Sequence, residues 1–147
     1  MNLNHAVFLN FKWSFFITIT SWTIKMQNSL QQLYETTLDH PEQYQDFYQQ
    51  LLSSQVFCLG ERDEHQQLHF QLVQTDEGEE AIPFFLNLAM LQQDVGLDAE
   101  FVMINAEKLF AITKGATLVM NPTSDHPKEF LAEEVEAILE FAKQKNL

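Results

Sequence analysis

The sequence predicts a single α/β domain of the mixed α+β kind, in which a mixed sheet of about five strands is flanked by helices. A chain of 147 residues with 46% apolar and 20% charged residues can bury one core. Its C-terminal half alternates short apolar runs with amphipathic segments, which indicates strands linked by helices and at least partly parallel pairing. Upstream, an acidic turn between two apolar runs predicts an antiparallel hairpin. The predicted element order is ααβββαβαβα.

Two amphipathic helices are predicted to open the domain just after Met26. The first carries apolar residues at helical spacing from Leu30 to Leu38. The sequence Asp39-His40-Pro41 ends this helix, because proline cannot continue it and suits the first position of the next one. The second helix has its apolar face within Tyr44–Leu52.

Three apolar runs follow and predict the first three strands. Val56–Leu59 is continuously apolar, as in a strand buried on both faces, and the polar stretch Gly60–Gln67 is expected to be a loop. Leu68–Val73 alternates apolar and polar residues, which predicts a half-buried antiparallel strand. The sequence therefore places a loop and then a single strand after the first buried strand.

The third strand is the return arm of the predicted hairpin. Thr75–Glu79 forms its connection, with Gly78 available for a positive φ angle. The return strand is Ala81–Phe85, and it contains Pro83. Because proline lacks the N–H that a central strand donates, Pro83 favours an edge or a bulge.

Asparagines mark the starts of the next two predicted helices. Asn87 is a candidate N-cap for a short helix containing Leu88–Leu91. Phe101–Ile104 is predicted to be another buried strand, and Asn105 caps the helical segment after it. In that segment Leu109, Phe110 and Ile112 are expected to turn inward.

The clearest strand–turn–helix unit is Ala116–Phe141. Leu118–Met120 predicts a buried strand, Asn121-Pro122 a turn, and the segment from Leu131 to Ala142 a helix that packs back on the sheet. The acidic residues of this helix are predicted to face outward, and they are Glu133, Glu134, Glu136 and Glu140.

The net charge of the chain limits the classes of partner that it is expected to bind. Against 8 Lys and Arg stand 21 Asp and Glu, which gives a formal net charge of −13. A field of this sign repels nucleic acid and anionic membranes and favours a basic protein partner, although acidity also serves solubility alone. The single Cys58 permits no intramolecular disulfide, which fits a reducing compartment.

The first 25 residues differ from the rest. They contain no acidic residue but hold Lys12, Lys25 and both tryptophans. Three interpretations stay open: a membrane anchor, an added β-strand within Phe15–Thr23, or a translation start mis-assigned upstream of Met26. The third is preferred because a regular helix follows Met26 at once. We therefore expect a domain over 26–147 and no stable membrane association unless residues 1–25 are a real anchor.

Several pieces, in order, resemble the N-terminal domain of the SseB family. They are Phe47–Val56 after the first helix pair, Asp76-Glu77-Gly78 followed by Ile82–Phe85, and Leu118–Pro122 with Leu131–Val135. After that Phe85, where the family commonly has Thr-Ser, this chain has Leu86-Asn87. The resemblance spans about residues 28–140. It implies a cytoplasmic bacterial interaction domain without catalytic residues, in some relatives an immunity or accessory protein near secreted toxins.

No motif in the chain predicts a cofactor, a metal ion or catalysis. Only four glycines are present, and they are too scattered for a phosphate-binding loop. Cys58 is expected to be buried in its strand rather than to act as a nucleophile. His65 and His69 lie four apart, but this spacing aligns side chains on a helix rather than on a loop and strand. Asp125-His126 beside Ser124 is explained by turn formation.

Two classes of function remain. The first is a non-enzymatic interaction domain, an immunity protein or adaptor that meets a basic partner through its acidic surface, including the four glutamates of the last helix. The second is a small-molecule-binding or enzymatic domain with a pocket at the carboxyl ends of its strands, where α/β sheets bind ligands. Its candidate residues, for which capping and turn formation are the simpler roles, are Asn105, Asn121, Thr123 and Ser124. The sequence leaves the oligomeric state open.

Overall fold

The computed structural model describes residues 29–145, and these form helices packed against one mixed sheet. The first helix, α1, spans residues 29–39, and a 3-10 turn at Pro41–Gln43 leads into the second. The remaining helices are α2 (Tyr44–Leu52), α3 (Leu88–Val95), α4 (Ala106–Ile112) and α5 (Ala132–Lys145). The strands are β1 (Gln55–Arg62), β2 (Leu68–Phe70), β3 (Val73–Gln74), β4 (Glu80–Phe85), β5 (Phe101–Asn105), β6 (Thr117–Met120) and β7 (Lys128–Phe130).

The main part of the sheet runs in the order β5-β1-β4-β6-β7. The strand β1 is antiparallel to both β4 and β5, whereas β4 and β6 are parallel. Consequently β4, β5 and β6 point the same way, and their carboxyl ends lie at one edge of the sheet. The predicted fold class, a mixed sheet flanked by helices, is confirmed, and the sheet has seven strands where about five were predicted.

The helices cover the two faces of the sheet unequally. One face holds the main core, in which phenylalanine and tyrosine rings contact one another in a continuous series, and α1, α2, α4 and α5 contribute side chains. The other face holds a smaller cluster of Phe57, Leu59, Phe85 and Leu91, to which α3 contributes.

Pro83 is not at an edge of the sheet, so the first of the two expected positions, an edge or a bulge, is wrong. The strand β4 is central, with β1 on one side and β6 on the other. The Phe84 carbonyl accepts from the Asn121 N–H on the β6 side, so the neighbouring Pro83 faces the opposite side. There β4 changes its partner from β3, opposite Ala81, to β1, opposite Phe84. Pro83 sits at this changeover, where no ladder donor is needed.

The segment after the first strand also differs from the prediction. β1 continues through Gly60 to Arg62, where a loop was expected, and pairs with β2. The single predicted strand over Leu68–Val73 divides into β2, which pairs with β1, and β3, which pairs with β4. Gly60 is needed at the first of these contacts, because a Cβ there would lie 2.2 Å from the His69 carbonyl oxygen.

The hairpin turn agrees with its prediction. Thr75 donates its N–H to the carbonyl of Glu79, and Gly78 has a φ of +84°. Pairing of Val73 with Ala81 follows. The hairpin connection predicted at Thr75–Glu79 is therefore present, with Gly78 in the expected conformation.

Two further expectations on burial are wrong. β5 was expected to be buried, but its exposure alternates: Val102 and Ile104 are buried, while Phe101 and Met103 are exposed. Ile112 was expected to turn inward and is 51% exposed, because α4 ends there.

The polar stretch before α5 contains the short strand β7, antiparallel to β6. It was not predicted, because only its Phe130 is buried and three residues show no clear alternation.

The interpretations of residues 1–25 lie outside the described residues.

Candidate functional site

A surface cleft of about 760 Å³ lies between α1, α3 and the loop that follows β6. α1 contributes Gln31, Tyr34 and Glu35 to its wall, and α3 contributes Gln93 and Asp94. The loop contributes Thr123, Ser124, Asp125 and His126. The cleft is thus at the carboxyl-end edge of the sheet, where the strand directions predict a binding site.

Asn121 forms the support beneath this cleft. Its side chain is buried, its Oδ1 accepts from the Leu86 N–H at 3.1 Å, and its Nδ2 donates to Gln31 Oε1 at 3.0 Å. Its backbone N–H donates to the Phe84 carbonyl at 2.8 Å. One residue therefore joins β4, β6 and α1. Its φ of +48° is left-handed, a conformation that asparagine tolerates better than most residues.

The loop is also fixed to α1. The buried Tyr34 hydroxyl donates to the backbone carbonyl of His126 at 2.9 Å, and the Ser124 hydroxyl donates to the Asn121 carbonyl at 2.8 Å. Burial raises the pKa of Tyr34, so its hydroxyl keeps the proton that it donates. The cleft is consequently built on packed and hydrogen-bonded side chains rather than on a free loop.

The cleft contains several carboxylates and, among the described residues, no lysine or arginine. Glu35, Asp94 and Asp125 all line it, and no lysine or arginine does so among the residues that the structure describes. None of these three carboxylates forms an ion pair within residues 29–145. His126 is the one lining side chain in this part of the chain that can become positive. The cleft therefore offers carboxylates to a cation from outside.

The predicted pocket residues do not all lie at one site. Thr123 and Ser124 line the cleft, and Asn121 lies beneath it. Asn105 is elsewhere: its Oδ1 accepts from the Lys108 N–H at 3.2 Å and caps α4, while its Nδ2 donates to the Leu52 carbonyl at 3.0 Å. Asn105 therefore caps α4 and links it to the end of α2.

Three of the four candidate glutamates of α5 have a lysine beside them, and Glu133 has none among the described residues. Glu136 lies 3.5 Å from Lys114, and Glu140 lies 3.8 Å from Lys143. Glu133 is exposed. Glu134 departs from the expected outward orientation, because it is partly buried and holds two partners, described next.

Lys128 and Tyr48 both bind Glu134. The Lys128 Nζ is 2.9 Å from its carboxylate, and the Tyr48 hydroxyl donates to it at 3.0 Å. The same Nζ lies 4.7 Å from the centre of the Phe130 ring. Burial, and then the adjacent carboxylate, raise the pKa of Tyr48. This cluster joins β7, α2 and α5, and its geometry is that of a structural contact.

Sequence reasoning missed the cleft residues contributed by the helices. Glu35 and Asp94 are exposed positions on predicted helices, and nothing in their spacing relates one helix to the other. Asp125 and His126 were noticed only as turn residues. The usable signal was the position of their loop directly after a buried strand.

The other candidates carry no site chemistry. Cys58 is buried within β1, as expected, and burial raises the pKa of its thiol to about 12, so it stays protonated. His69 Nε2 lies 2.8 Å from Asp63 Oδ2, and this hydrogen bond lowers the pKa of Asp63. Across residues 29–145 no group of three His, Cys, Asp or Glu side chains could hold a metal ion.

One further observation concerns membranes. Of the helices within the described residues, none has both the length and the apolar character that a membrane crossing requires.

Comparison with known proteins gives a consistent result. The model of the SseB protein N-terminal domain matches residues 30–137. Protein SseB of Escherichia coli (strain K12) and Protein SseB of Shigella flexneri are each 31% identical to this chain over 119 residues, which is 77% of this chain. The match covers 46% of each relative, so the chain spans about half of their length. No solved structure matches it.

Proposed function

Because this chain belongs to the SseB family, we propose that it is a non-enzymatic protein-interaction domain, an immunity protein, accessory protein or adaptor that binds a basic partner. The observation that carries the proposal is the cleft with Glu35, Asp94 and Asp125 in its wall and no basic residue among its described lining. Three carboxylates without counter-charges are suited to lysine or arginine side chains of another protein.

The shape of the cleft favours a protein partner over a small metabolite. Its volume is within the range of ligand pockets, but such pockets enclose the ligand and are lined mainly by apolar side chains. This cleft is open, and glutamine, carboxylate, hydroxyl and histidine side chains make up most of its lining, beside the apolar Leu38 and Met90. A cationic side chain can enter such a site while the rest of its protein stays outside.

The acidity of the whole chain supports the same proposal. A net charge of −13 attracts a basic protein over a distance and raises the rate of encounter. The cleft then supplies the local contacts. We extend the proposal to a cytoplasmic location, on the ground that the one cysteine of the chain is an unpaired, buried thiol.

The proposal is tested by affinity capture from a bacterial lysate with three versions of the chain. The cleft variant combines Glu35→Gln, Asp94→Asn and Asp125→Asn. The control variant removes the same amount of charge from α5, and it combines Glu133→Gln, Glu136→Gln and Glu140→Gln.

We expect wild type and the control variant to recover one basic partner, with binding that weakens as salt rises. The cleft variant should lose about tenfold or more of this affinity. A partner that binds the cleft variant as well as wild type, or binding that ignores salt, would contradict the proposal.

The small-molecule alternative predicts a different result. A metabolite that binds only the folded state raises its melting temperature, because binding shifts the unfolding equilibrium. A metabolite that stabilises wild type but not the cleft variant would favour that alternative. The interaction proposal expects no such stabilisation across a metabolite and metal panel.

A further inference from the structure

The sheet face that carries α3 is covered unevenly. Phe85 of β4, Phe57 of β1 and Met103 of β5 are opposite one another across three adjacent strands, so their side chains share this face. Their exposed fractions are 1%, 4% and 53% in that order. Leu91 of α3 belongs to one cluster with Phe57 and Phe85, and no residue of β5 does. The apolar layer therefore continues onto β5, where it lies open to solvent.

Phe101 extends this exposed layer along β5. It lies two residues before Met103, on the same face of the strand, and it is 39% exposed. The centre of its ring is 6.0 Å from that of the buried Phe57, so the exposed ring is held against the covered part of the layer. Phe101 and Met103 together are the β5 strip. The segment that leads into this strip holds two more exposed apolar residues, Val95 and Leu97.

The chain around the β5 strip is acidic. From Asp63 to Glu107 it contains no lysine or arginine, and Asp98 and Glu100 come just before β5. Neither of these two carboxylates forms an ion pair among the described residues. Lys108 is the first cation after the strip in sequence, and Glu107 beside it offsets its charge. An apolar strip with acidic flanks is complementary to an apolar surface with basic flanks.

We propose that the β5 strip binds an amphipathic helix of a partner protein, with apolar side chains on one face and lysine or arginine on its flanks. Residues i and i+4 of a helix are about 6 Å apart along its axis, close to the spacing of about 7 Å between Phe101 and Met103 on their strand. Helices that dock in grooves use apolar anchors at this repeat. The partner helix extends the layer of α3 over β5.

Other occupants fit the β5 strip less well. A second copy of the chain carries the same net charge of −13, and an anionic membrane is repelled by the same field. An added β-strand needs a row of free backbone groups, but Asn105 is the N-cap of α4 and only Phe101 and Met103 face away from β1 before it. A basic helix meets neither obstacle, because it contacts side chains and complements their acidic flanks.

Two synthetic peptides of identical composition test the proposal. The first places leucine at every third or fourth position with lysine on both sides of that stripe, and the second is a scramble in which leucine and lysine no longer segregate. Each is titrated into the full chain, labelled at its methionine methyl groups, and followed by nuclear magnetic resonance. Met103 reports on the β5 strip, whereas Met90 lines the cleft and reports on it. Because both peptides carry the same charge, their difference measures the apolar contact.

We expect the amphipathic peptide to shift the Met103 methyl signal at about tenfold lower concentration than the scramble does. In calorimetry Met103→Gln should weaken the affinity for this peptide by about tenfold. Ile112→Gln changes a side chain of similar exposure on α4, whose buried residues belong to the larger core, and should leave the affinity unchanged. Asp98→Asn combined with Glu100→Gln should weaken it about threefold and reduce its dependence on salt.

Equal responses to the two peptides, or a Met103→Gln variant that binds as wild type does, would overturn the proposal. A dimer of the free chain that Met103→Gln dissociates would assign the strip to a second copy and would also overturn it. So would a nuclear Overhauser contact in the free chain between the Met103 methyl and a tryptophan ring, because both tryptophans lie within residues 1–25. Neither Phe101 nor Met103 lines the cleft, so this proposal and the proposed function fail independently.

Discussion

The cleft and the outer face of α5 are both rich in carboxylates, but they differ in what lies beside those carboxylates. Glu136 and Glu140 on α5 each have a lysine within 4 Å, Glu134 has a lysine and a tyrosine, and only Glu133 of the four lacks an ion pair among the described residues. Glu35 and Asp94 in the cleft have no such ion pair within residues 29–145. Acidic composition alone therefore does not show where charge is available to a partner; the position of the few basic residues does.

The largest expected effect comes from the support of the cleft. Asn121→Ala leaves the buried Leu86 N–H without its acceptor and places alanine at a left-handed φ, so we expect a loss of about 2–4 kcal/mol in the free energy of unfolding. Urea denaturation measures it. Asn121→Gly keeps the backbone conformation and should lose about 1 kcal/mol less. Near-wild-type stability of Asn121→Ala would show that the cleft does not depend on this residue.

A second experiment compares two lysines beside α5. Lys128→Met leaves the partly buried Glu134 without its cation, and we expect it to cost about 1–2 kcal/mol. Lys143→Met removes an exposed pair at 3.8 Å and should cost less than about 0.5 kcal/mol. Thermal or urea unfolding of both variants gives the difference. Equal losses in the free energy of unfolding would mean that the ion pair of Glu134 stabilises the fold no more than the exposed pair of Glu140.

The smallest expected effect is on the pKa of the Tyr48 hydroxyl. Burial and Glu134 raise the pKa of Tyr48 above its ordinary value of 10.0, so folding holds this proton more tightly than the unfolded chain does. The associated stability is complete below about pH 10 and is lost as the pH rises beyond it. Glu134→Gln should lower the pKa of Tyr48, measured by ultraviolet titration. An unchanged Tyr48 titration would remove Glu134 as a cause of the shift.

Most of the helices and strands were predictable because their signals are local. Asn87 and Asn105 cap their helices as predicted, and Gly78 adopts a positive φ in its turn. The family resemblance, read from ordered short pieces, is confirmed.

The errors arose where a residue's role depends on its neighbours in space. Pro83 is central because β4 exchanges one partner for another beside it, and no local pattern encodes that exchange. β5 is exposed on one face because Leu91 of α3 packs with side chains of β1 and β4, and no residue of β5 belongs to that cluster.

The same limit applied to the candidate site. The loop after β6 was predictable from strand direction, and it supplied Thr123 and Ser124. Glu35 and Asp94 could not be assigned to the cleft, because neither helix contains a sequence pattern that predicts the packing of α1 beside α3. Glu134 was assigned outward because its position on α5 is polar, yet Lys128 reaches it from β7, a strand that was not predicted.

The central claim, that the cleft rather than α5 receives a basic partner, is tested most directly by a nuclear magnetic resonance titration. A short lysine-rich peptide is added to the labelled chain at low ionic strength. We predict that the amides lining the cleft shift at the lowest peptide concentrations, and that the cleft variant loses this response while the α5 control variant keeps it. Shifts that begin on α5, or a cleft variant that responds as wild type does, would contradict the account.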